Sequence, residues 1–256
     1  MSVSAAYERY YETGAYDRRY PRPNPVVLGT VRRHAPVARP RIADVGCGSG
    51  RYSLALAPGS ERIVGYDLSA NALARAEAAR RRAGEERVTF ADPGAFEAGS
   101  HIRDHGTADV ALALFGVIAH IPGRAERHGL LTELWHALRP GTGRLIISVP
   151  NRARRFRREQ KASGDGACVH YTRACNGETI ELVYHLYTPQ RLCNDLRAAG
   201  FEVVRVKAES VMPERVVAGS RLVRVLERLI TPVVPARWGY GLLAVARRPA
   251  EEAASG

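Results

Sequence analysis

One short segment constrains this chain more than any other. It reads Ile42-Ala43-Asp44-Val45-Gly46-Cys47-Gly48-Ser49-Gly50. An apolar run over residues 41–46 enters a glycine-rich turn, and residues 51–57 follow with a helical pattern. A buried strand feeding a helix through such a loop opens a parallel α/β sheet, and the glycines let backbone approach a ligand closely. Asp44 stands before the first glycine, where a dinucleotide-binding loop has an apolar residue. A carboxylate there repels a pyrophosphate and suits a cationic ligand, such as an amino group or a sulfonium.

The rest of the chain extends the same alternation. Residues 62–67, 88–92, 108–115, 144–149, 202–209 and 240–248 read as further strands. Helices are expected at Ala70–Ala83, between Ser69 as cap and Gly84 as stop, at 124–138, and at 189–199 behind Thr188. Strands alternating with helices imply an α/β fold whose sheet is covered on both faces. We expect one domain over residues 1–256: an N-terminal lid at 1–40, a core at 41–150, and substrate-side inserts at 151–187 and 210–239. The second insert is expected to hold one helix over 214–230. Its Arg221, Arg224 and Arg228 lie on one side, and Leu222, Leu226, Leu229 and Ile230 on the other.

Acidic residues stand at three successive strand ends: Asp44, Asp67 and Asp92. Asp67 follows Gly46 by 21 residues, the spacing at which a carboxylate meets a ribose diol. These residues resemble the motifs of class I S-adenosylmethionine-dependent methyltransferases. The likeness runs from about 41 to 149 through Asp67-Leu68-Ser69 and the turn at 138–141, and weakly over 188–248. It implies a Rossmann-like, seven-stranded, mostly parallel sheet with an antiparallel last strand, and S-adenosylmethionine as cofactor. Carried over by position, Gly46, Gly48 and Gly50 line the methionine end, Asp67 takes the ribose, Asp92 faces the adenine, and the strand end at 114–116, with Phe115, lines the methyl channel. Asp44, Cys47 and Leu68 are further candidates for cofactor contact. Tyr11, Tyr16, Arg19 and Tyr20, in a segment dense in Tyr and Arg, are candidates for a lid over the cofactor.

Composition narrows the partner. The formal net charge is +12, with 36 Arg and only Lys161 and Lys207. Residues 42–150 carry 12 basic and 12 acidic side chains, so the excess lies in the lid and the inserts. Its densest part is Arg152 to Lys161, with six cations and one acid. Two or three of these six cations are expected to turn to an anionic acceptor, with Arg152, Arg154 and Arg155 the candidates beside Arg173, Tyr16 and Tyr184. His120, His170, Tyr171 and Glu178 are the candidates for catalysis. Cys47, Cys168, Cys175 and Cys193 show no metal-ligand spacing, so no metal is expected. No apolar run is long enough to span a bilayer, and Met1–Ala15 carries Glu8, Arg9 and Glu12 and does not read as an export signal, so a cytoplasmic protein is expected.

Transfer of a methyl group from a sulfonium needs above all an acceptor held in line. The first expectation is carbon methylation of an isoprenyl diphosphate or another small phosphorylated metabolite in specialised metabolism: arginines for the diphosphate, aromatic faces for the cation. Two alternatives remain. One is a tRNA methyltransferase of the wobble-uridine type, for which nucleic acid is the partner. The other is an O- or N-methyltransferase of a carboxylated or phenolic natural product. The sequence leaves open whether 214–230 is a lid, the surface of a homodimer or a membrane-surface helix.

Overall fold

The computed structural model describes residues 3–162, 167–175 and 178–250, with side chains at all of these except 3, 4, 173–175 and 178. Its main sheet has seven strands in the order β3-β2-β1-β4-β5-β9-β8. The five parallel strands are β1 (Arg41–Val45), β2 (Arg62–Tyr66), β3 (Val88–Phe90), β4 (Val110–Ala113) and β5 (Arg144–Pro150). A separate hairpin follows, formed by β6 (Cys168–Cys175) and β7 (Glu178–His185). The edge pair, β8 (Glu202–Ser210) and β9 (Gly241–Arg247), closes the sheet, with β9 antiparallel to both neighbours. This is the α/β architecture expected from the sequence.

Continuous apolar runs follow from burial on both faces. On β5, Leu145 and Ile147 pack into one core with Leu131 and Leu134, whereas Ile146 points to the other with Val27, Ile42 and Tyr52. The covering helices are α1 (Val3–Glu12), α2 (Ala15–Arg19), α3 (Pro25–His34), α4 (Arg51–Leu56), α5 (Ala70–Ala83), α6 (Ala98–His105), α7 (Arg124–Ala137), α8 (Arg157–Ala162) and α9 (Pro189–Ala198). Caps set their starts: Ser69 Oγ accepts from Ala72 N at 3.0 Å, and Thr188 Oγ1 accepts from Arg191 N at 3.2 Å. The chain moves outward from β1 to β3 and then returns to β4 on the other side of β1. The crevice at the carboxyl ends of β1 and β4 is therefore the topological switch point, where open α/β sheets bind ligands.

Residues 151–187 contain α8 and the β6–β7 hairpin, whose Ile180 and Leu182 pack with Ala6 and Tyr10 of α1. Two expectations need correction. Asp92 does not end the third strand, because β3 stops at Phe90 and Asp92 is exposed beyond it. Residues 214–230 form two helices, α10 (Glu214–Gly219) and α11 (Arg221–Ile230). Ser220 breaks the run by adopting an extended backbone, and its hydroxyl caps α11. Among the described residues no helix is long and apolar enough to cross a membrane.

The α10–α11 segment is pinned by one buried carboxylate. Glu227 accepts from Val211 N and Met212 N, at 3.0 and 2.6 Å, and from the Thr231 hydroxyl. Replacing it strands buried donors, so Glu227→Ala is expected to cost about 3 kcal/mol. The urea midpoint measures this; an unchanged midpoint would show that the carboxylate anchors nothing.

Candidate active site

The loop after β1 owes its shape to two glycines. Gly46 has φ 73° and Gly48 φ 55°, conformations that side chains resist. A Cβ at Gly46 would enter Val117, and one at Gly48 would enter the Tyr11 hydroxyl. The loop thus leaves room for close approach, and here α1 provides it. Further contacts hold the N-terminal segment down. The Ser49 hydroxyl donates to Asp17 at 2.5 Å, Arg75 Nε donates to the Tyr11 carbonyl at 2.8 Å, and Asn71 N donates to Glu8 at 3.1 Å.

Asp67 ties this loop to the end of β2. One carboxylate oxygen accepts from Gly48 N at 2.8 Å and the other from Ser69 N at 3.0 Å. Burial raises its pKa, and those backbone donors oppose the rise. Asp44 lies deeper, beneath the loop, and accepts from the Ser53 hydroxyl at 2.5 Å. Burial pushes its pKa up to about 6, against the Ser53 hydrogen bond. Asp44 therefore joins β1 to α4.

A cavity of about 530 Å³ opens beside the loop. Its walls come from Gly46, Asp67 and Leu68, from Gly94, Ala95 and Phe96, from Leu114, Phe115 and Val117, and from Glu126, Leu130 and Glu133 of α7. Tyr7, Tyr11, Tyr16 and His120 close it on the lid side. Cavities of this size and apolar character hold small organic ligands.

The cavity ends at Phe115, a non-glycine residue at φ 63°. The Ser148 hydroxyl accepts from its N–H at 2.7 Å, which holds the strained backbone in place. The ring packs 4.6 Å from Tyr20, and the Arg51 guanidinium lies 4.7 Å from its centroid. Nearby, His120 Nδ1 lies 3.1 Å from the Val183 carbonyl, which places the ring proton on Nδ1. Nε2 is then the acceptor for the Tyr7 hydroxyl. Burial lowers the His120 pKa to about 3, and holds Tyr7 well above its ordinary value. Both groups are neutral.

Of the other catalytic candidates, Tyr171 stacks 4.8 Å from Phe156 and 5.5 Å from Tyr184, while His170 is exposed. The side chains of Glu178 and Arg173 lie outside the described residues. Among the remaining cofactor candidates, Cys47 is buried, Gly50 packs against Phe90, and half-exposed Arg19 donates to the Tyr20 hydroxyl at 3.0 Å. Asp92 is off the cavity wall, and the segment from Gly94 to Phe96 takes its place.

The arginine run does not converge. Arg154 donates to the Trp238 carbonyl at 2.7 Å, Arg157 donates to the Ala153 carbonyl at 3.2 Å, and Arg152 is half-buried. Only Arg155 turns deep inside. Its guanidinium lies 4.9 to 5.2 Å from the ring centroids of Tyr240, Phe156 and Tyr184. Tyr184 in turn packs 4.1 Å from the His120 ring, so one aromatic wall separates Arg155 from the cavity end. Arg155 Nε has no hydrogen-bond partner among the described residues, and neither does Glu209 Oε1. Burial and the adjacent Glu214 raise the Glu209 pKa.

Tyr7, Arg51, Glu209 and Glu214 were not singled out in the sequence. Tyr7 lies in the Tyr-rich segment already marked, and Arg51 directly follows the glycine loop. Glu209 and Glu214 carried no signal, because acids flanking a strand end look the same as solvated ones.

Holding His120 neutral ties stability to pH. The unfolded chain protonates this ring below pH 6.5, whereas the folded chain resists protonation down to about 3. The contribution is complete above pH 6.5 and is lost as the pH falls toward 3. His120→Gln is expected to remove about one proton of uptake on unfolding in that window. The slope of stability against pH measures it, and an unaltered slope contradicts the assignment.

Comparison with known proteins agrees with this geometry. Residues 43–145 match the profile of the family described as "Methyltransferase domain". The ubiquinone biosynthesis O-methyltransferase of Burkholderia ambifaria is 32% identical over 129 residues, 50% of this chain and 52% of that protein. The demethylmenaquinone methyltransferase of Clavibacter sepedonicus is 36% identical over 121 residues, 47% of this chain and 45% of that protein. The chain spans about half the length of the curated relatives it matches. A solved structure from Burkholderia thailandensis, a 1,6-didemethyltoxoflavin-N1-methyltransferase with bound 1,6-didemethyltoxoflavin and S-adenosylhomocysteine, superposes with a TM-score of 0.60. It is 20% identical, and the match covers 96% of this chain and 87% of that one. At that identity the likeness is one of fold.

Proposed function

We propose that this chain is a class I S-adenosylmethionine-dependent methyltransferase, a reading supported by its fold and by the match to a methyltransferase domain at residues 43–145, and that it methylates a small aromatic acceptor that carries an anionic group. The observation that carries this reading is the aromatic cavity ending at Phe115 and His120, with a single buried arginine behind Tyr184.

The residues present fit the cofactor. The carboxylate of Asp67 on the cavity wall suits a ribose diol. Leu68, Phe96 and Val117 supply apolar surface for a flat base, and Gly46 leaves backbone exposed to an amino-acid end. When bound, S-adenosylmethionine supplies an electrophilic methyl group on a sulfonium.

The chain's own part is positioning. Phe115, Tyr16 and Tyr20 form an aromatic surface at the end of the cavity. His120 Nε2 is engaged by the Tyr7 hydroxyl, and Tyr7 itself lines the cavity, so in this reading the Tyr7 oxygen holds an acceptor hydroxyl in line. A pKa of about 3 does not disqualify His120 as the terminal base. An oxygen that has gained a methyl group is far more acidic than this imidazolium, so its proton passes to the Tyr7 oxygen while the Tyr7 proton moves to Nε2 as the new bond forms. We therefore favour an oxygen acceptor, and the name of the Burkholderia ambifaria relative supports that choice.

Arg155 selects the anionic group. A diphosphate calls for several converging cations, yet Arg154 and Arg157 are spent on backbone carbonyls. One buried guanidinium fits one carboxylate or a comparable anion. This favours a carboxylated or phenolic compound over an isoprenyl diphosphate. Bulk tRNA is disfavoured, because the lid tyrosines close the cavity from one side.

The deciding experiment incubates the chain and labelled cofactor with phenolic acids, prenyl diphosphates or tRNA. Label transfer is expected to the phenolic acids. Transfer only to diphosphates or RNA would replace this reading. Asp67→Ala is expected to weaken cofactor binding about 10- to 100-fold by calorimetry. Arg155→Gln is expected to raise KM for an anionic acceptor on the order of tenfold while leaving cofactor affinity intact. Equal effects on both ligands would mean that Arg155 is structural.

A further inference from the structure

Helix α11 is mounted the reverse of a water-facing helix. Its acid, Glu227, is turned inward and is 2% exposed. Its apolar stripe is turned outward: Leu222, Val225, Leu226 and Leu229 follow i, i+3, i+4, i+7 spacing, with Leu222 70% and Leu229 69% exposed. The feature continues along the chain, where Val233 is 80% exposed and Trp238 56%. Of the thirteen exposed large apolar side chains among the described residues, nine fall within residues 212–238. So marked a concentration signals a partner.

Charge identifies that partner. Both acids of the segment, Glu214 and Glu227, are buried. Arg215, Arg221, Arg228 and Arg237 are exposed, and Arg224 is half-buried. Among the described residues none of these five pairs with a carboxylate within 4.0 Å. On a helical projection Arg221 and Arg228 lie together along one edge of the leucine stripe. A second copy packed antiparallel would set arginines against arginines, which repel. A leucine stripe edged by arginines, with a tryptophan nearby, matches instead the boundary between anionic headgroups and acyl chains.

We propose that α11, with the segment running on to Trp238, docks on an anionic phospholipid surface. The leucines enter the acyl boundary and the arginines meet headgroup phosphates. Because α10 and α11 follow the carboxyl end of β8, docking presents that end of the sheet to the bilayer. On the methyltransferase reading, this favours an acceptor that partitions into membranes.

Cosedimentation of the full chain with vesicles tests this. Binding is expected with phosphatidylglycerol–phosphatidylcholine vesicles, is expected to be absent with phosphatidylcholine alone, and is expected to weaken in high salt. Arg221→Gln with Arg228→Gln is expected to lower affinity about 30-fold, at about 1 kcal/mol per charge. Leu222→Ser with Leu229→Ser is expected to lower it on the order of 100-fold. Thermal melting checks that both variants remain folded. Three results would overturn the proposal: no sedimentation with anionic vesicles, affinity indifferent to both variants, or a dimer abolished by the leucine variant without vesicle binding. Methyl transfer measured without vesicles reports on the enzymatic reading separately.

Discussion

The close approach at Gly48 is the constraint on which the rest depends. Asp67 fixes the loop from one side through the Gly48 N–H, and the Tyr11 hydroxyl occupies the space that a side chain would claim. Two strand ends and the N-terminal segment therefore meet at one residue without a Cβ. Move that loop outward and three things change together. The Asp67 carboxylate loses its orientation, α1 loses its seat, and the cavity loses the wall that Tyr11 and Gly46 share. The cavity is thus a consequence of backbone geometry first and of side-chain chemistry second.

Electrostatics divides the surroundings of the site into two regions of different character. Around the loop the ionised groups are carboxylates, Asp44 and Asp67, with their burial partly offset by a hydroxyl and by backbone N–H groups. Beyond Phe115 the balance changes. Arg51 and Arg155 stand among aromatic rings, near the buried Glu209 and Glu214. A buried cation without a close carboxylate partner is costly unless a ligand or a polar network satisfies it. On the proposed reading, the carboxylate side suits a cationic donor and the arginine side an anionic group, with one aromatic residue between them.

The sequence revealed what local chemistry determines. The strand–glycine–helix unit at 41–57 and Asp67 were legible because their roles depend on spacing along a few residues. The parallel sheet followed from alternating apolar runs. The β6–β7 hairpin was missed, although Asn176-Gly177 stands between two alternating runs, a strong hairpin signal. The arginine cluster was legible only as a set. Six cations in ten residues cannot share one low-dielectric pocket, and which of them turns inward is set by rings distant in sequence, Tyr184 and Tyr240. The break at Ser220 was likewise invisible, because Ser is tolerated within a helix and a cap shows itself only in the backbone. Glu209 and Glu214 are buried by tertiary packing alone.

The net charge of +12 gains meaning from the same division. The cofactor-binding half is balanced, one arginine of the 152–161 run goes inside, and the 212–238 segment turns its arginines out and its acids in. That segment and the inner region are joined through Asn24. Its side-chain amide donates to the Glu209 carbonyl and to Glu214 Oε1, both at 3.1 Å, while its oxygen caps α3. Glu214 begins α10, and its charge acts on Arg51 beside Phe115. Any shift of α10 relative to β8 must break or stretch these buried hydrogen bonds. The outer face carrying the leucines and the inner wall carrying Arg51 therefore belong to one mechanical unit. On the proposed readings, a partner that orders the outer face would act directly on residues beside the acceptor end of the cavity.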